Sequence, residues 1–144
     1  MGVKMKLGTF QGGIHPFDGK ELSKNKPITN LSPKGEMVFP LSQHIGAPAV
    51  TLVKPGDSVL VGQKIAEAQG FISACIISSV SGTVKAIEPR LTTSGAMAES
   101  IIIENDNEYK KIAGFGVERD YTKLSKDEIR TIIKNAGIVG MGGA

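Results

Sequence analysis

Apolar residues along this 144-residue chain fall in short runs separated by glycine and proline, and a single stretch keeps a helical period. Runs at 49–53, 59–61, 65–66, 76–80, 83–87 and 101–103 have the length of short strands. Turn residues interrupt them every several positions, the pattern of a small barrel or sandwich. Within Lys54-Pro55-Gly56-Asp57, Pro55 presets φ at the first central position and Gly56 supplies positive φ at the second, which predicts a type II turn. Near the end Ser125 and Glu128 have the spacing of a capping box, Leu124 can staple onto Ile129, and Ile129, Ile132, Ile133 and Ala136 share one helical face. Gly137 is placed to end that helix.

The pattern divides the chain into four regions. Residues 1–40, rich in Gly, Pro, Lys and Asn with no sustained period, predict an extended basic arm packed on the sandwich. Residues 41–104 form the sandwich, entered through the loop Pro40-Leu41-Ser42-Gln43-His44-Ile45-Gly46-Ala47-Pro48, and 105–123 read as a polar linker. Residues 124–144 carry the capped helix and a glycine-rich ending. The predicted fold is thus mainly β, with an N-terminal arm and one C-terminal α-helix.

Composition supports one core: 40% hydrophobic residues, 18 glycines and no tryptophan suit short strands and tight turns. No run reaches the roughly 18 apolar residues of a membrane helix, and the start lacks a signal-peptide core, so a cytoplasmic location is expected. Residues 1–36 hold six lysines against Asp18, Glu21 and Glu36, a net +3. Such a segment suits solvent, anionic lipid or an acidic partner. Lysines without interleaved aromatics exclude the usual nucleic-acid surfaces.

Candidate chemistry is sparse. A single cysteine, Cys75, excludes an internal disulfide and a self-contained iron–sulfur cluster, and suits a small core residue. His15, His44 and Cys75 together would supply three metal ligands, or the histidines a phosphoryl acceptor, but their spacing matches no zinc motif. A standalone phosphoryl- or metal-handling sandwich therefore stands as the alternative reading.

Residues 49–104, through Val53-Lys54-Pro55-Gly56-Asp57, Gly62-Gln63, Ile65-Ala66-Glu67 and Val80-Ser81-Gly82-Thr83-Val84, resemble the lipoyl and biotinyl carrier fold, a barrel-sandwich hybrid. Carriers of that family bear their cofactor on a lysine at a hairpin tip. The corresponding tip here falls near Phe71, and no lysine lies between Ala68 and Val84, so covalent lipoate or biotin is not expected. Gln69, Gly70, Phe71 and Ile72 are instead a candidate interface, with Phe71 either an exposed anchor or folded back over its own sandwich.

Gly12-Gly13-Ile14-His15-Pro16, the loop from Pro40 to Pro48, and Gly137-Ile138-Val139-Gly140-Met141-Gly142-Gly143-Ala144 resemble the C subunit of Rnf-type membrane electron-transport complexes, in this order and around this sandwich. The A subunit of sodium-translocating NADH:quinone oxidoreductases is a related alternative that the glycine-rich ending disfavours. The resemblance implies that the full-length subunit passes electrons between ferredoxin and NAD through FMN and two 4Fe–4S clusters. It further implies a complex that moves ions, with this subunit peripheral at the cytoplasmic face of the membrane and in contact with other subunits. This chain by itself is expected to hold no cofactor and perform no catalysis. Gly140, Gly142 and Gly143 would open an FMN or NADH loop, since consecutive glycines let backbone N–H groups approach a phosphate.

Overall fold

The computed structural model of the chain describes Phe17 and residues 19–140, in which the chain divides into two units at Leu31 and Ser32. In the first unit a 3-10 turn at Lys20–Leu22 follows Gly19, which takes a φ of 67°. Glu21 pairs with Lys24, and Phe17, Leu22, Ile28 and Leu31 are exposed.

The second unit is a β-sandwich. Its strands are β1 (Glu36–Pro40), β2 (Val50–Thr51), β3 (Ser58–Val59), β4 (Lys64–Glu67), β5 (Ile76–Ile77), β6 (Gly82–Leu91) and β7 (Met97–Asn105). One antiparallel sheet has the order β1-β7-β6-β3 and the other β2-β4-β5. Phe39, Val59, Val84, Ile101 and Ile103 from the first sheet meet Ile65, Ala66 and Ile76 from the second, with Leu41, Ala49, Val53 and Val80 closing the core. Burying branched apolar side chains of this kind stabilises by about 1.5–3 kcal/mol each. The mainly β fold with one C-terminal helix among the described residues agrees with the sequence reading.

Strand β6 passes unusually close to β7. Gly82, at φ 152°, lies so near the Glu104 carbonyl that an added Cβ would stand 2.0 Å from its oxygen. Between Val84 and Ala86 the register shifts, leaving Lys85 bulged, and its ammonium pairs with Glu36 on β1. The expected turn forms, with Asp57 N–H donating to the Lys54 carbonyl at 3.1 Å and Gly56 at φ 94°.

Two region boundaries require correction. Residues 36–40 are not arm but β1, pairing from Glu36↔Glu104 to Pro40↔Ser100, and alternation places Phe39 and Met37 against the core. The polar stretch 105–123 is not a free linker. Asn105 ends β7, Val61 N–H donates to the Lys110 carbonyl at 2.8 Å, Ile112 N–H donates back to that of Val61 at 3.0 Å, and Tyr109 packs against the core. Several strands are also shorter than their apolar runs. Thr51 Oγ1 donates to the Val53 carbonyl and Ser78 Oγ to that of Val80, at 2.9 and 2.7 Å, so local side-chain bonds replace ladder bonds.

Ser81, fully buried, ties down the strap after β7: its hydroxyl donates to Asp106 at 2.7 Å and accepts Lys110 N–H at 2.9 Å. Ser81→Ala would remove both bonds that the buried hydroxyl makes to the strap, and a loss of about 1–3 kcal/mol in urea unfolding is expected. The same staple gives an acid dependence. The Ser81 hydroxyl, then the Glu108 N–H, hold the Asp106 carboxyl below the usual carboxylate range. Its stabilisation is therefore present above the unfolded value of about 3.9 and lost as pH falls through the lower folded value. Between pH 6 and pH 3 the urea midpoint should fall more in the wild type than in Asp106→Asn.

Helix α1 (Lys126–Asn135) forms with the predicted capping box: Ser125 Oγ accepts the Glu128 N–H, and Glu128 accepts the Ser125 N–H at 2.8 Å. Gly137, at φ 67°, follows the C-cap Ala136. An added Cβ there would stand 2.3 Å from the Cys75 carbonyl oxygen, so the helix end sits directly on the sandwich backbone. The apolar face is only partly covered: Ile129 and Ile132 are half-buried, Ile133 is exposed, and no residue of α1 is fully buried.

Candidate functional site

The hairpin tip between β4 and β5 has a defined shape because it is tied to a neighbouring loop. Ser73 Oγ accepts Gln69 N–H and donates to the Ala47 carbonyl, both at 2.9 Å, and Ala47 N–H donates to the Ile72 carbonyl at 2.9 Å. Gly46 approaches so closely that an added Cβ would lie 2.3 Å from the Ile72 oxygen. The loop before the first sandwich strand thus braces the tip, while Gly70 takes a φ of 74° at the turn.

On this braced support the apolar side chains point to solvent. Phe71 is 97% exposed and Ile45 92%, with Ile72 also exposed. Of the two orientations left open for Phe71, the structure has the exposed one. The tip thus presents exposed apolar side chains, one of them aromatic, on a hydrogen-bonded support. Gln69, Gly70, Phe71 and Ile72 bear no amine.

Below the tip, Cys75 is buried and its thiol donates to Glu67 Oε1 at 3.3 Å. Lys64 Nζ bonds the same carboxylate at 3.0 and 3.3 Å. The Lys64 ammonium, then the Cys75 thiol, lower the Glu67 pKa, and Glu67 in turn raises that of Lys64. Ionised and engaged by both neighbours, Glu67 is a structural partner to Cys75 and not a free base beside a nucleophile.

Beside β5 lies a cleft of about 330 Å³ whose lining includes Phe39, Leu41, His44, Cys75, Gly137 and Val139. His44 and Cys75, distant in sequence, therefore meet one cavity, because the braced loop brings His44 over β5. The His44 Nδ1–H donates to the Ile45 carbonyl at 2.9 Å, a local bond that orients the ring. His15 lies outside the described residues. Among the described residues no group of three His, Cys, Asp or Glu side chains is placed to hold a metal. Gly140 is exposed at the end of the described chain, and Gly142 and Gly143 lie outside it. A second cleft, of about 550 Å³, lies over the β3–β6 pair and the strap, between Ser58, Thr83, Glu104, Asp106 and Lys110. Sequence reasoning missed both cavities and the Gly46 brace, since each depends on close approach of segments remote along the chain.

Comparison with known proteins agrees with the sandwich fold. The RnfC barrel sandwich hybrid domain matches residues 8–108. Over 99% of its length the chain is 42% identical to the C subunit of the Na(+)-translocating ferredoxin:NAD(+) oxidoreductase complex of Acetobacterium woodii, covering 32% of that protein. It is likewise 42% identical to the C subunit of the proton-translocating ferredoxin:NAD(+) oxidoreductase complex of Clostridium ljungdahlii, covering 30%. Identity to the C subunit of the ion-translocating oxidoreductase complex of Vibrio cholerae is 38%, covering 18%. The chain thus spans a third or less of the relatives' length. From the matched domain, and from the sandwich that those residues fold into, the chain belongs to the RnfC barrel sandwich hybrid domain family.

Proposed function

We propose that this chain is the scaffold and docking portion of the C subunit in an ion-translocating ferredoxin:NAD oxidoreductase complex, an electron-transport translocase. The observation that carries this reading is the braced tip: the hairpin between β4 and β5 presents exposed Phe71 and no lysine, and hydrogen bonds hold it against the preceding loop. A swinging cofactor needs a mobile arm on an amine, whereas a docking contact needs a fixed apolar projection.

In this reading the cofactors of the subunit lie outside the chain. A 4Fe–4S cluster takes about four thiolates, and the chain has one cysteine, buried and bonded to Glu67. FMN would need the completed glycine loop, of which Gly140 is the described residue. We therefore assign FMN, both clusters and the exchange of electrons between NADH and ferredoxin to the rest of the subunit. The chain's own task is to hold that continuation against the other subunits at the cytoplasmic face of the membrane. Among the described residues no helix is long and apolar enough to cross a membrane, which suits peripheral attachment. A sodium- and a proton-translocating relative share the same 42% identity with the chain, and we assign the choice of ion to other parts of the complex.

Metal and flavin analysis tests the division of labour. The 144-residue chain purified aerobically or anaerobically should contain neither iron nor flavin, while a chain extended to the length of the relatives should contain both. Stoichiometric flavin in the shorter chain, or none in the longer, contradicts it.

A further inference from the structure

From Asp106 to Gly140 no residue is buried, although the segment contains a capped helix and a strap bonded to the sandwich. Large apolar side chains nevertheless recur along it. Val117 and Tyr121 are exposed, Ile133 is 45% exposed and Ile138 64%. Helix α1 has 10 residues, and isolated helices shorter than about 12–15 residues are marginal in water even with good caps. Most helical stability in proteins comes from packing an apolar face, and that of α1 is incompletely packed: Ile129 and Ile132 are half-buried and Ile133 is exposed. Its contact with the sandwich is at the C-terminal end, where Gly137 meets the Cys75 backbone.

We infer that the face formed by α1 and the residues flanking it is a docking surface for the continuation of the same polypeptide. The inference rests on the reading that the chain is part of a longer C subunit. About two-thirds of the relatives' length lies outside the portion that the chain matches. Val139 lines the cleft beside the C-terminal end of α1, so in this reading a domain joined there would be tethered next to that face. Short tethers raise effective concentration to the millimolar range, where a modest apolar contact suffices for occupancy. Ile133 and Ile138 then become core residues of the junction between the sandwich and the rest of the subunit.

Hydrogen exchange on the 144-residue chain and on the extended subunit tests this. Amides of α1 should exchange at least 100-fold more slowly in the extended subunit, with sandwich amides alike in both. Ile133→Asp should return α1 exchange in the extended subunit to within about threefold of the shorter chain, leaving flavin content unchanged. Equal α1 exchange in both chains, with flavin present in the longer, overturns the docking inference and leaves the functional reading intact. Protection of α1 that rises with concentration of the shorter chain, with sedimentation as a dimer, assigns the face to a second copy and also overturns it. An extended subunit without flavin or iron overturns the functional reading, whatever α1 does.

Discussion

Gly82→Ala is expected to remove most of the stability of the sandwich, a loss of about 4 kcal/mol or more in urea unfolding followed by circular dichroism. The new Cβ would stand 2.0 Å from the Glu104 oxygen, 2.9 Å from its carbonyl carbon and 3.2 Å from Asn105 Cα. All are backbone atoms of the paired strand, so no side-chain rotation relieves the overlap. Relief requires β6 and β7 to separate, and those strands carry Val84, Ile101 and Ile103 into the core. Typical domains are stable by about 5–15 kcal/mol, so the substitution approaches the whole margin. Gly56→Ala is the control: Gly56 also has a positive φ, 94°, but an added Cβ meets nothing within 4 Å. Its cost should stay near the backbone term of about 1–2 kcal/mol.

Phe71→Asp is expected to act in the opposite way, leaving the fold intact and weakening assembly. Phe71 is almost fully exposed and closes no core contact, so the stability should shift by no more than about 0.5 kcal/mol. At an interface centre, loss of an aromatic anchor costs about 2 kcal/mol or more, roughly 30-fold in affinity, and a carboxylate facing an apolar pocket adds desolvation. Separation of the two readouts is the diagnostic feature. A residue that merely shielded the sandwich would lower stability and binding together. Gly46→Ala should give an intermediate result, because a Cβ there displaces the brace from the Ile72 carbonyl without removing the anchor.

The parts of the fold legible in the sequence are those set by local chemistry. The turn at Pro55-Gly56, the Ser125–Glu128 capping box and the Gly137 stop each depend on residues a few positions apart, and each forms as read. The elements misread depend on distant partners. β1 is five residues long, ends in Pro40 and follows a Gly- and Pro-rich stretch, so its Met37–Phe39 alternation is too brief to separate from an arm without β7 beside it. The strap after Asn105 is polar because it is held by the Ser81 hydroxyl and by backbone bonds to Val61, which leave little hydrophobic signature.

The candidate site follows the same division. The absence of a lysine at the tip is a property of the sequence, and the sandwich places Gln69–Ile72 at the hairpin between β4 and β5 as counted from Ser81-Gly82. The exposure of Phe71 is not decided by its neighbours in the chain, since the Gly46–Ile72 approach and the Ser73 bonds fix the tip's orientation. The meeting of His44 and Cys75 in one cleft likewise depends on the braced loop. No local motif around either residue announces it.

The proposal that this chain docks a redox subunit onto its complex through the braced tip is tested most directly by equilibrium binding of the labelled 144-residue chain to membranes carrying the complex stripped of its own C subunit. Saturable binding that Phe71→Asp weakens at least tenfold is the predicted result. Binding no greater than to membranes without the complex, or unchanged by Phe71→Asp, would contradict it.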